Sequence, residues 1–125
     1  MLKRYASLVL ATFLVLSTGA LAQTPDISGK WTASFETQIG TQNYTYDFLV
    51  KDATLTGKAK SNIGEAVIKE GKVTGNKVTF VEMLNFDGQE IRIEYTGTIA
   101  SADEIKFVRQ VGDFAKEELV AKRAK

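Results

Sequence analysis

KVTFVEMLNFDGQEIRIEYTGTI, Lys77 to Ile99, is the stretch on which the fold turns. Apolar residues recur at every second position on both sides of Asp87-Gly88: Val78 and Phe80 before it, Ile91, Ile93 and Tyr95 after it. Period two marks a strand with one buried face. Asp-Gly between two such runs is a strong hairpin signal, because the favoured two-residue turn asks for positive φ at both positions. A turn there pairs Phe86 with Gln89, and so Glu82 with Ile93 and Phe80 with Tyr95. The two apolar faces coincide only in that register, since a slip of one residue turns every side chain over.

The same arithmetic extends outward. Gly75-Asn76 reads as another two-residue turn, pairing Val73 with Val78, Gly71 with Phe80 and Lys69 with Glu82. On the other side, an odd loop over Ser101 to Asp103 pairs Ile99 with Ile105 and Tyr95 with Arg109. Upstream, Trp31, Ala33 and Phe35 share one strand face, Tyr44, Tyr46, Phe48 and Val50 a second, and Leu55, Gly57 and Ala59 a third. Short strands with regularly spaced turn signals indicate a sandwich or barrel. The tail from Asp113 to Lys125 has a helical composition, yet a closed sheet needs a last strand to cover the edge of the first. A strand over Glu117 to Arg123 is therefore expected. The fold class is all-β: a single antiparallel up-and-down β-barrel of about eight short strands.

Ahead of the strands, Lys3 and Arg4 precede an apolar run from Leu8 to Leu16, and Ala20-Leu21-Ala22 has the small-residue pattern of a cleavage site. Residues 1–22 read as a cleaved secretory signal peptide, leaving 23–125 as a single β-barrel domain without a membrane anchor, secreted or periplasmic. Losing Lys3 and Arg4 takes sixteen basic residues to fourteen, against fifteen acids, a formal charge of −1. That balance offers no electrostatic footprint for nucleic acid. Histidine and cysteine are both absent, which removes the usual zinc and haem ligands and the common nucleophile-base pairs. No metal and no cofactor is expected.

A carboxylate pair is the remaining catalytic option. Glu90 and Glu94 share a strand face but stand about 13 Å apart at the usual rise, Glu82 points the other way, and Glu117 and Glu118 diverge if extended. No catalytic residue is assigned. The register instead gathers Lys69, Glu82, Tyr95 and Arg109 on the core-side face. Two readings are open: polar groups that fix the head of a ligand inside an apolar cup, or charges that satisfy one another or reach water along their stems. The row Tyr44, Tyr46, Phe48 reads as core-facing, with sugar stacking as its alternative. Lys58, Lys60, Lys69, Lys72 and Lys77 outline a mildly positive region, read as a solvated outer face.

Gly29-Lys30-Trp31 on the first strand resembles the Gly-x-Trp signature that opens lipocalins and other calycins. Ile27-Ser28-Gly29-Lys30-Trp31-Thr32 followed by Leu55-Thr56-Gly57 is similar in spacing to avidin-like barrels, although a single tryptophan cannot reproduce an avidin biotin site. The whole mature chain is similar to small secreted bacterial lipocalin-like domains, some free-standing and some attached to hydrolases. In calycins a basic residue of the last strand packs over the tryptophan, and the resemblance gives that place to Arg123, with Trp31 and Arg123 closing the barrel. It implies a secreted, non-enzymatic barrel that binds a small apolar or sugar-like molecule or a partner surface. The alternative is a carbohydrate-active accessory domain or a xylanase-like glycoside hydrolase. Oligomeric state is left open.

Overall fold

The computed structural model describes residues 25–125. The leader, residues 1–22, lies outside the described residues. Eight strands run in chain order: β1 (Gly29–Thr37), β2 (Gly40–Lys51), β3 (Thr54–Ser61), β4 (Gly64–Thr74), β5 (Lys77–Phe86), β6 (Gln89–Ser101), β7 (Glu104–Val111) and β8 (Ala115–Arg123). Each pairs antiparallel with its neighbour, and β1 meets β8 to close an up-and-down barrel. Alternation decides what goes inside: Trp31, Tyr46, Tyr95, Phe80 and Phe107 are almost wholly buried. The rings of Tyr46, Tyr95, Phe80 and Phe107 pack with centroids between 4.2 and 6.4 Å, Phe80 stacked on Tyr95 and Phe107 edge-on to both.

The central hairpin has the expected register, Phe86↔Gln89, Glu82↔Ile93 and Phe80↔Tyr95. Asp87 and Gly88 both take positive φ, 54° and 79°, the geometry that matches the twist of the flanking strands. β6 and β7 pair Ile99 with Ile105 and Tyr95 with Arg109. They do so through a register shift between Ile99 and Ser101, with Ser101 opposite Glu104, rather than through a plain odd loop. The C-terminal segment forms a strand over Ala115–Arg123, because without it β1 and β7 would both leave backbone groups unpaired.

Two expected pairings fail: Gly71 is not paired with Phe80, and Lys69 does not face Glu82. Val73 faces Val78, but a bulge between Lys69 and Lys72 shifts the register beyond it, so Glu82 stands opposite Ile68 and Lys69 opposite Val81. Glu70, with φ of 55°, is the residue that absorbs the extra length. The shift places Ile68 in the core and Lys69 in water. Strict pairing would have exchanged them, stranding a lysine in the barrel and an isoleucine outside it. All five lysines of the positive region are exposed on the outer surface.

Two glycines make the walls fit. A Cβ at Gly57 would collide with the carbonyl oxygen of Asp47 on β2, and one at Gly97 with the Phe107 ring. Gly57 lets β3 come close to β2, and Gly97 leaves the space that Phe107 fills in the core.

Candidate functional site

The two ends of the barrel are built differently. At one end the segment before β1 folds under the strands. Ile27 is wholly buried, and its carbonyl accepts a 2.8 Å hydrogen bond from Trp31 Nε1. The Arg123 guanidinium lies 4.6 Å from the centre of the Trp31 ring. It donates to the carbonyls of Ser28 (2.9 Å), Asp26 (2.8 Å) and Ala102 (2.9 Å). Arg123 is also opposite Trp31 in the β1–β8 register, which consists of Trp31↔Arg123 and Thr32↔Lys122. One side chain thus holds the closing seam, the tryptophan and the plug together.

At the other end, the turns β1–β2, β3–β4, β5–β6 and β7–β8 surround a cavity of about 280 Å³. Ile39, Phe86 and Phe114 stand exposed around its rim, and Ile63, Leu84 and Ile91 form its walls. Its floor is polar: Gln42, Tyr44, Arg109 and Glu117. Such a floor comes from alternation, since Gln42 shares the inward face of Tyr44 on β2 and Glu117 that of Leu119 on β8.

Arg109 organises this layer. Its Nε donates to Glu117 Oε1 at 2.7 Å and its Nη1 to the Tyr95 hydroxyl at 2.9 Å, with Glu82 Oε1 3.7 Å away. Its guanidinium packs 4.7 Å from the centre of the Phe35 ring and 5.1 Å from that of Tyr44. Glu82, 1% exposed, accepts from the Tyr44 hydroxyl (2.8 Å) at one oxygen and from the Tyr95 hydroxyl (2.9 Å) at the other. Tyr95 has one hydroxyl proton and spends it on Glu82, so the 3.0 Å contact between Tyr46 and Tyr95 runs from Tyr46 as donor. Every hydroxyl therefore points along a chain that ends on the Glu82 carboxylate.

Burial dominates the acid-base character of the layer. It pushes the Glu82 carboxyl above its ordinary value, with the Tyr44 and Tyr95 hydroxyls and then Arg109 pulling the other way. Tyr44 is pushed up to about 12, first by burial and then by the Glu82 charge. Tyr46 and Tyr95 are held well above the phenolic range for the same leading reason, so all three remain hydroxyl donors. The layer can orient and neutralise. Both Glu82 oxygens already accept hydrogen bonds from tyrosines, and Glu82 does not line the cavity.

Glu82, Tyr95 and Arg109 are brought together, and Lys69 is not: the bulge in β4 turns it outward opposite Val81. Tyr44, Tyr46, Gln42 and Glu117 belong to the cluster or to its surface and were missing from the sequence-derived set. Glu117 had a signal. If Arg123 points inward over Trp31, then Ala121, Leu119 and Glu117 must point inward too, and the register sets Glu117 opposite Arg109. Tyr46 and Phe48 are buried in the stacked row, which answers the sugar-stacking alternative for those two rings. Among the described residues no cluster of acids is arranged to hold a metal ion.

No protein-family model matches the chain, and no curated protein matches it. A solved structure described as EF1p2_mFAP2b bound to DFHBI is similar in fold, with a TM-score of 0.55 at 15% sequence identity. The similarity covers 78% of this chain and 94% of that one. At that identity it speaks for the fold alone, the closed antiparallel β-barrel.

Proposed function

We propose that this chain is an exported, non-enzymatic barrel that binds a small, largely apolar molecule in its open end. The observation that carries the reading is the cavity itself, about 280 Å³ with an apolar rim and a polar floor. In that floor Gln42, 4% exposed, keeps a buried side-chain oxygen without a hydrogen-bond partner. The barrel similar in fold, bound to DFHBI, supports the same reading by analogy. Export rests on the basic, apolar and small-residue pattern of residues 1–22.

Native mass spectrometry of the protein recovered from its own host tests these points together. The expected species starts at Gln23, is found outside the cytoplasm, and releases a small molecule on collisional activation. A polypeptide that retains residues 1–22, or one that never carries a ligand and binds none from an extract of host metabolites, counts against the reading. Xylan hydrolysis by the purified protein would sink its non-enzymatic part.

A further inference from the structure

We infer that the open end holds a small uncharged molecule by a hydrogen-bond-accepting head, a ketone or similar carbonyl on an apolar body, which accepts from Arg109 Nη2 and Gln42 Nε2. This rests on the binding reading above and specifies its chemistry. Arg109, 3% exposed, lines the cavity. Its Nε donates to Glu117 and its Nη1 to Tyr95, whereas Nη2 makes no hydrogen bond among the described residues. Nη2 carries two N–H bonds, and the neighbouring Tyr44 hydroxyl has room for no more than one of them. Gln42 lines the same cavity, and its amide nitrogen also lacks a partner among the described residues. Only one fully covered side-chain polar atom is without a partner among these residues, Gln42 Oε1. Arg109 Nη2 and Gln42 Nε2 are unpartnered but not covered, so both reach open space, and the cavity is the space that both residues line.

Register brings the two donors together. Gln42 stands opposite Phe35 across β1 and β2, and the Arg109 guanidinium packs 4.7 Å from the centre of that same ring. Charge then decides what kind of acceptor fits. The guanidinium already has Glu117 at 2.7 Å and Glu82 at 3.7 Å, so its charge is matched before a ligand enters. Glu117 lines the cavity as well, and a carboxylate head on Nη2 would lie beside it, paying like-charge repulsion where water screens little. An ammonium head would face the guanidinium and the amide N–H groups. A head with no acceptor would strip water from both donors and return nothing. A neutral carbonyl oxygen has two lone pairs and can accept from both. Its body would lie among Ile63, Leu84 and Ile91, with Phe86 and Phe114 at the rim. The volume, about 280 Å³, is at the lower end of the range for ligand pockets and suits a small molecule.

Isothermal titration calorimetry at neutral pH with four probes of matched aromatic body tests this: acetonaphthone, ethylnaphthalene, naphthylacetate and naphthylethylamine. Acetonaphthone should bind most tightly, by at least about five-fold over each of the others. Gln42→Leu should weaken acetonaphthone by about five-fold and leave ethylnaphthalene unchanged or tighter. Glu117→Gln removes the carboxylate beside Arg109 and should tighten naphthylacetate by about five-fold or more, with acetonaphthone little changed. Thermal unfolding checks that both variants are folded, and the order of the probes together with Gln42→Leu decides if Glu117→Gln is not. Acetonaphthone binding no more tightly than ethylnaphthalene, or less tightly than either charged probe, overturns the acceptor-head inference and leaves the binding reading standing. A ketone affinity unmoved by Gln42→Leu removes Gln42 from the site, and a naphthylacetate affinity unmoved by a folded Glu117→Gln removes Arg109; either result overturns the two-donor assignment. No binding by any of the four removes the binding reading and the inference with it.

Discussion

The closed and open ends of this barrel are made from the same eight strands with the same in-out alternation, yet one is sealed and the other is not. At the closed end the Trp31 Nε1 has its acceptor on Ile27, and the Arg123 guanidinium has three carbonyls. At the open end an acceptor on Gln42 has no donor, and Ile39, Phe86 and Phe114 face water. What differs is the chain beyond the strands. The segment before β1 folds across one end, and among the described residues only short turns border the other. Stability is thereby concentrated where the plug, the tryptophan and the closing seam meet, while the open end is left unsatisfied.

That division can be broken by experiment. The largest effect should come from Trp31→Ala, which empties the best-packed site of the closed end. It is expected to cost about 3 to 5 kcal/mol, measured by urea unfolding, and a cost below about 1 kcal/mol would show that the plug and seam hold without it. Arg123→Ala should cost about 1 to 3 kcal/mol, through the lost cation–π contact and the carbonyls left without a charged donor. Because β1 and β8 share only two residue pairs, hydrogen exchange in β8 should rise before exchange in β5 or β6. Uniform protection in that variant would mean that the seam does not depend on Arg123.

Between the two ends lies the tyrosine–glutamate–arginine layer, and its signature is pH. The native Glu82 carboxyl sits above its ordinary value of 4.5 because of burial. The unfolded chain therefore loses this proton first. As pH rises through the interval from 4.5 up to the native value, Glu82 subtracts stability; below that interval the penalty is absent. Glu82→Gln removes the titration, so the unfolding midpoint of the variant should gain on the native protein as pH rises across this window. A difference that stays constant with pH would mean that Glu82 titrates as it would in water. The smallest effect belongs to the rim: Phe114, 65% exposed, should change stability by no more than about 0.5 kcal/mol when replaced by serine, while ligand retention falls. A large loss of stability there would erase the contrast between the ends.

Much of this architecture was legible in the chain because hairpin registers are local. Asp87-Gly88 and Gly75-Asn76 set their turns by backbone chemistry, and the strands beside them are placed by counting in twos. Counting failed at Lys69. A single residue, Glu70 at positive φ, inserts a step that no turn signal announces; the only hint was that Ile68 and Val73 cannot share a face without it. The candidate site divides the same way. Glu82, Tyr95 and Arg109 lie on β5, β6 and β7, joined by consecutive hairpins, so their meeting could be reckoned from the register. Tyr44 reaches Glu82 across thirty-eight positions of sequence, a contact that exists only because the barrel has closed.

By itself, the sequence determined the strands, their order, most of their registers and which side chains turn inward. These are properties of near neighbours along the chain, governed by period two and by the φ preferences of the turn residues. Tertiary structure alone decided that Ile27 caps one end, that β4 carries a bulge, and that Gln42 and Glu117 form the floor of an open cavity. Those outcomes depend on how a closed cylinder fills its volume and satisfies its buried polar groups, and that balance is struck among residues far apart in the chain.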